Sequence, residues 1–233
     1  MSKALFRAQR KKPNFTGQDP LFVDLPKDNV PLRSTRIPKD YYPTGEPEAI
    51  LSLLSYDGAR IRQSGTVWEP ACGKGDMVRH IRAAGIPCCA SDLIDRGCPD
   101  SWTADYYSCL RSRGGAIITN PPFNEINAKN GHGRWLRHTL NMEGWDYLAL
   151  LLSWDWPAAR INGLGELLDH TPPTYTYLMR WRLDFTGEGN PPNRHAWFIW
   201  DRKDPRSRPG MGPYAEPSFR WMDRVDPRQE TML

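Results

Sequence analysis

A doubly wound, mostly parallel α/β sheet that ends in an antiparallel hairpin is what the sequence predicts. Three observations predict it. Short apolar runs alternate with segments of helical periodicity along residues 41–202. Tyr147–Ser153 is a continuous apolar run, the mark of a central parallel strand. Two long aromatic segments, Thr174–Phe185 and His195–Trp200, flank a loop rich in Gly, Asn and Pro and should pair antiparallel.

The elements follow in order. Ala49, Ile50, Leu53 and Leu54 fall on one face of a helix over Glu46–Tyr56, with Pro47 in its first turn. Thr66–Glu69 reads as a strand stopped by Pro70. A turn over Ala71–Asp76 leads to a helix marked by Met77, Val78, Ile81 and Ala84 and closed by Gly85. Pro87–Leu93 reads as a short buried strand, Trp102–Tyr106 as a weaker one, and Gly115–Thr119 as an apolar β-branched one. Trp135–Met142 and Ala158–Leu168 read as helices, the second weakened by Gly163 and Gly165. Trp181, Trp197, Phe198 and Trp200 read as sheet-packing residues, and His195 as a satisfied strand residue.

Twelve of the 22 prolines lie in residues 1–47 or 201–233, so both ends are expected to be irregular around a packed domain of residues 41–202. Residues 1–40 carry nine Lys/Arg against four Asp, an arm suited either to solvent or to a polyanion; residues 203–233 form a proline-rich tail. The whole chain has 31 basic and 27 acidic residues, and a net +4 permits a nucleic-acid partner without demanding one. No apolar run reaches membrane-spanning length, so no membrane partner is expected. The five cysteines lack metal-ligand spacing; reduced thiols in a cytoplasm are expected, and no metal.

Two segments carry chemistry. Glu69-Pro70-Ala71-Cys72-Gly73-Lys74-Gly75 joins a strand to a helix, and Gly73 and Gly75 allow a sharp turn close to a ligand. The spacing fits neither a dinucleotide fingerprint nor a phosphate loop. Asp92 and Asp105 each close a following strand, where a carboxylate can accept from a ribose or an exocyclic amine. Asn120-Pro121-Pro122-Phe123 follows the next strand. The prolines remove donors, leaving carbonyl oxygens, an amide and an aromatic face, a set that accepts hydrogen bonds from a planar amine and stacks on its ring.

These residues resemble class I S-adenosylmethionine-dependent methyltransferases, and among them the DNA adenine-N6 type, over roughly residues 41–202. The resemblance implies a Rossmann-like methyltransferase fold and S-adenosylmethionine as cofactor. Tyr42-Pro43-Thr44 is similar to the family's segment for the methionine end. Glu69 to Gly75 is similar to the first motif. Asp92 with Leu93 falls at the ribose-binding acid, and Asp105-Tyr106 at the adenine-binding pair. Asn120 to Phe123 is similar to the catalytic tetrad, with Asn120 also beside the cofactor. The implied reaction is methylation of adenine N6 in DNA, on a base flipped out or already single-stranded. Methylation of an RNA amine or a protein glutamine through a similar segment is the alternative. No separate recognition domain is visible, so a short or relaxed target is expected, with Lys3 to Lys12, Lys129, Arg134 and Arg137 meeting phosphates.

Overall fold

The computed structural model describes residues 44–127, 132–158, 161–185, 189, 191, 193–207 and 218–227. The arm of residues 1–40, Tyr42, Pro43 and Lys129 lie outside them.

Eight strands form one sheet in the order β3-β2-β1-β4-β5-β7-β6-β8. They are β1 (Val67–Glu69), β2 (Cys88–Asp92), β3 (Ser101–Thr103), β4 (Ala116–Thr119), β5 (Tyr147–Ser153), β6 (Tyr175–Met179), β7 (His195–Asp201) and β8 (Ser218–Met222). β7 runs antiparallel to both its neighbours, β5 and β6; every other pairing is parallel. The expected mostly parallel sheet with an antiparallel hairpin is therefore observed.

Helices cover both faces. On one side α1 (Glu48–Gln63) and α2 (Asp76–Ala83) pack Ile50, Leu53, Ile61, Met77 and Ile81 against Val67, Ile118, Ala149, Leu151 and Trp197. On the other, α4 (Arg134–Asn141) and α5 (Leu164–His170) pack Trp135, Leu136, Leu164 and Leu168 against Trp68, Ile117, Leu150 and Phe198. A four-residue helix, α3 (Phe123–Ile126), precedes α4. Strand residues alternate between these two cores, as the pleat requires.

Several elements differ from their sequence-based expectation. α1 extends two turns past Tyr56, because Asp57 and Ile61 continue its buried face. Asp57 is an acid among apolar positions, and the structure shows why it is tolerated. Its Oδ2 accepts from Tyr147 (2.7 Å) and Tyr175 (3.0 Å), and its Oδ1 from Tyr177 (2.7 Å). Burial raises the Tyr147 hydroxyl well above its usual pKa, so it remains a donor. At the end of α1, Arg60 grips Asp201 through two bonds of 2.8 and 2.7 Å and fastens the helix to β7.

β2 stops at Asp92, and Leu93 is 60% exposed rather than part of a buried strand. β3 ends at Thr103, because the Asp105 side chain accepts from Tyr107 N (3.0 Å) and turns the chain into a 3₁₀ segment, Tyr106–Ser108. α5 starts at Leu164 rather than at 158. Gly163 sits at its amino end with φ +73°, a left-handed conformation that begins the helix instead of interrupting it. β6 stops at Met179 instead of reaching Phe185, since β7 begins opposite it and offers no further ladder partner. The tail expected to be irregular contributes β8, which pairs in parallel with β6 as an edge strand.

Candidate functional site at the carboxyl edge of the sheet

Strand order reverses between β1 and β4: β2 and β3 lie to one side, β5 to the other. Such a reversal opens a crevice beyond the carboxyl ends of the two strands. β1 and β4 are paired through Val67↔Ala116 and Trp68↔Ile117, so the loops leaving Glu69 and Thr119 emerge side by side. These loops are the glycine turn and Asn120–Phe123.

The glycine turn is held from two sides. Gly73 N donates to Asp92 Oδ2 (2.8 Å), and Cys72 N donates to Ser91 O (3.0 Å). Asp92 Oδ1 accepts from Ile94 N (3.2 Å) and lies 3.9 Å from Arg96 Nε. Asp92 thus clamps the turn to the end of β2, and each carboxylate oxygen retains a second lone pair. Gly75 has φ +82°, and a Cβ there would approach Cys98 Sγ to 2.7 Å. Its glycine is required by this left-handed φ and by packing against Cys98. Cys72 is buried, and burial pushes its thiol far up, so it is no nucleophile.

Glu69 is fully buried under this turn. Its Oε1 accepts from Ala71 N (3.2 Å), whereas Oε2 has no hydrogen-bond partner. Thr119 on β4 is near enough to influence the carboxyl, yet its hydroxyl completes no hydrogen bond. Burial raises the Glu69 pKa to about 8. At neutral pH the folded protein therefore holds a proton that an unfolded glutamate would release, and stability falls as pH rises from about 4.5 to about 8. One protonation step carries about 1.4 kcal/mol per pH unit. Glu69→Gln should abolish most of that slope, and at pH 8.5 should gain roughly 2–4 kcal/mol over the native chain relative to pH 5. Urea unfolding at the two pH values measures it; parallel pH profiles would refute the buried proton.

Asn120 lies two residues past Ile118, and the pleat turns it to the α1 face. Its Nδ2 donates to Thr44 Oγ1 (3.1 Å), just before α1, which orients the amide. Pro121 is buried and Pro122 half-buried, and Pro122 leads into α3. Phe123 opens α3 with its ring half-buried against the α4 side of the core. Asp105 is exposed after β3.

Tyr106 is placed otherwise than the resemblance implied. Its ring is buried, stacked on Trp135 at 3.9 Å and 9°, and its hydroxyl bonds Thr139 Oγ1 (2.6 Å). It is a core residue and offers no face to a ligand. The neighbouring Tyr107 is the half-exposed one. Its hydroxyl donates to Glu125 Oε2 (2.7 Å), and the Arg134 guanidinium lies 3.7 Å over its ring. Arg134 also faces Glu125 at 3.6 Å and remains 60% exposed. Arg137 is engaged with backbone, donating to His132 O (2.9 Å) and Gly163 O (2.7 Å), and braces the start of α5.

The α1 face of this edge holds further residues that sequence reasoning missed. His195 begins β7 opposite Ser153, buried, with Phe185 edge-on at 4.9 Å. Its Nδ1 has no partner, so it is not the satisfied residue expected, and burial lowers its pKa to about 4. Trp181 Nε1 and Glu46 Oε2 are likewise buried without partners, while Glu46 Oε1 accepts from Asp184 N (2.8 Å). Unsatisfied buried polar atoms cost about 1–3 kcal/mol each, and their gathering at one edge is the mark of a site prepared for a polar ligand. No sequence signal separates these residues from sheet packing.

No family model matches the sequence, and no curated protein matches it. Solved structures match in fold. A proposed class I S-adenosylmethionine-dependent methyltransferase from Listeria monocytogenes is 10% identical, with a TM-score of 0.52 over 77% of this chain and 66% of that one. This chain thus spans just under two thirds of that protein's length. A proposed RNA methyltransferase from Pyrococcus horikoshii is 11% identical (TM-score 0.48, 66% of this chain, 82% of that one). The modification subunit of a proposed type I restriction enzyme from Vibrio vulnificus is 12% identical (TM-score 0.45, 81% and 48%). The likeness is one of fold, and the chain has the Rossmann-like methyltransferase fold.

Proposed function

We propose that this chain transfers a methyl group from S-adenosylmethionine to the exocyclic N6 amine of adenine in DNA, within a short or relaxed target sequence. One observation carries the reading: the glycine turn clamped by Asp92 and the oriented Asn120 emerge side by side where strand order reverses.

The residues present fit the cofactor. The unpartnered Glu69 Oε2 beneath the turn, carrying the proton that burial retains, suits a ligand that brings an acceptor. Asp92 has lone pairs for both ribose hydroxyls, and exposed Leu93 offers an apolar surface for a ring. Asp105 can accept from an exocyclic amine. When bound, S-adenosylmethionine supplies a methyl group made electrophilic by its sulfonium. On the acceptor side, the Asn120 side-chain oxygen and the Pro121 carbonyl accept the two N–H bonds of the amine. That localises the lone pair on nitrogen for direct, in-line attack, with no covalent intermediate on the chain, and the surplus proton of the methylated amine leaves to solvent. The exposed part of the Phe123 ring stacks on the base. Rate enhancement comes from positioning and electrostatics. An adenine paired in a duplex must first leave the stack, at a cost of a few kcal/mol.

Asp92→Ala should weaken the cofactor by about 1–3 kcal/mol, through the lost ribose bonds and the unclamped turn. Unchanged affinity in a calorimetric titration would reject Asp92 as the ribose ligand. The reaction itself is tested with tritiated cofactor offered DNA, RNA and protein in parallel, followed by nucleoside analysis. N6-methyldeoxyadenosine is the expected product; label in RNA or protein alone would overturn the DNA reading.

A further inference from the structure

β8 alternates Phe219, Arg220 and Trp221. Arg220 points to the α1 side, its guanidinium 4.8 Å from the Tyr175 ring centre. Phe219 and Trp221 take the opposite face, where no helix among the described residues covers them: they are 46% and 57% exposed. Trp154, directly after β5, is 39% exposed and joins them. The three rings form one run, Trp154–Phe219 at 5.4 Å and Phe219–Trp221 at 5.0 Å, each edge-to-face. Single exposed aromatics are ordinary on a protein surface, but three in a continuous run make a patch that calls for a partner.

Charge selects the partner. Exposed arginines line the carboxyl edge beside the run: Arg180 and Arg182 after β6, and Arg194 before β7. Arg180 lies 5.7 Å from the Trp221 ring centre and is paired with Asp223 at 3.0 Å, a contact open to solvent and of little worth. Arg194 O accepts from Trp154 N (2.9 Å), which fixes this arginine beside the first ring. Aromatic faces interleaved with guanidinium groups suit an unpaired nucleic-acid strand, with bases stacked on the rings and phosphates beside the arginines. The run begins one residue past Ser153, the end of β5 at the candidate site's edge.

We propose that Trp154, Phe219 and Trp221, with Arg180, Arg182 and Arg194, form a stacking platform that holds an unpaired nucleic-acid strand leading to the methyl-transfer site. The proposal rests on the nucleic-acid reading of that site, and strand binding can be measured without turnover. A fluorescein-labelled 20-nucleotide single-stranded DNA, followed by anisotropy at fixed salt, serves as probe. Each of Trp154→Ala, Phe219→Ala and Trp221→Ala should weaken binding about tenfold, with cofactor affinity and melting temperature unchanged. Combined Arg180→Ala, Arg182→Ala and Arg194→Ala should flatten the salt dependence by about two units of log–log slope, at about 0.7 per phosphate. A triple aromatic variant that binds within twofold of the native chain would overturn the platform. So would a native chain that binds no strand, or a change of that variant from dimer to monomer with strand binding intact, which would assign the patch to a second copy. Native protein that binds strands through these rings but labels no nucleic acid would refute the proposed reaction and leave the platform standing.

Discussion

Replacing Asn120 by Ala should lower kcat by roughly 100- to 1000-fold while cofactor affinity stays within about twofold. The residue sits at the end of β4, with its amide bonded to Thr44. Its proposed task begins when the amine gains positive charge on attack, so its removal acts on the transition state rather than on cofactor binding. Alanine keeps the strand end but offers no oxygen, and Thr44 loses its amide donor. Asn120→Asp retains an acceptor, with the Thr44 hydroxyl free to donate to it, and should keep more activity than Asn120→Ala. Single-turnover methylation with saturating cofactor, beside calorimetric titration, separates the two quantities. A variant that loses cofactor binding yet turns over normally at saturation would reverse the assignment.

The second large effect concerns stability. Asp57→Ala should destabilise the fold by about 3–5 kcal/mol, a large share of the 5–15 kcal/mol typical of a domain. The cost arises from the partners left behind. Tyr147 and Tyr177 are fully buried and Tyr175 nearly so, and all three donate to this one carboxylate. Without it, three hydroxyls are stranded among apolar groups. Arg220 donates to the Tyr177 hydroxyl (3.1 Å) and, having no acceptor, cannot take the carboxylate's place for any of the three. Asp57→Asn keeps one oxygen and the volume and should cost less than half as much. Denaturant unfolding of the two variants checks the order; an equal loss would assign the effect to packing.

The same acid shows where sequence reading stops. The apolar spacing of Ala49, Ile50, Leu53 and Leu54 makes α1 legible, yet Asp57 looks like the end of its buried face. Its tyrosine partners lie 90 to 120 residues away, which no local pattern reveals. β5 was legible because a strand buried on both faces admits no polar residue before its end. β8 was hidden by the prolines around it, although Phe219-Arg220-Trp221 alternates as a strand should. In the candidate site, Asn120 to Phe123 and the glycine turn could be singled out as candidates because each is a run of consecutive residues. Tyr106 and Tyr107 could not be told apart, since a 3₁₀ turn rotates each successive side chain by about 120° and only tertiary packing decides which points inward. His195, Trp181 and Glu46 stayed invisible for a related reason. A missing hydrogen-bond partner is a property of the folded surroundings, not of the residue type.

The Asp57 cluster also sets an order of events during synthesis. α1 leaves the ribosome long before β6, with 118 to 120 residues separating Asp57 from Tyr175 and Tyr177. At about 5–20 residues per second, that gap lasts on the order of ten seconds. Throughout it the carboxylate must stay hydrated, because burying it alone is costly. The apolar face of α1 therefore cannot dock in its final register until β5 and β6 arrive. Folding of this sheet is tied to completion of its second half, and in the interval Ile50, Leu53 and Ile61 remain open to chaperones or to aggregation.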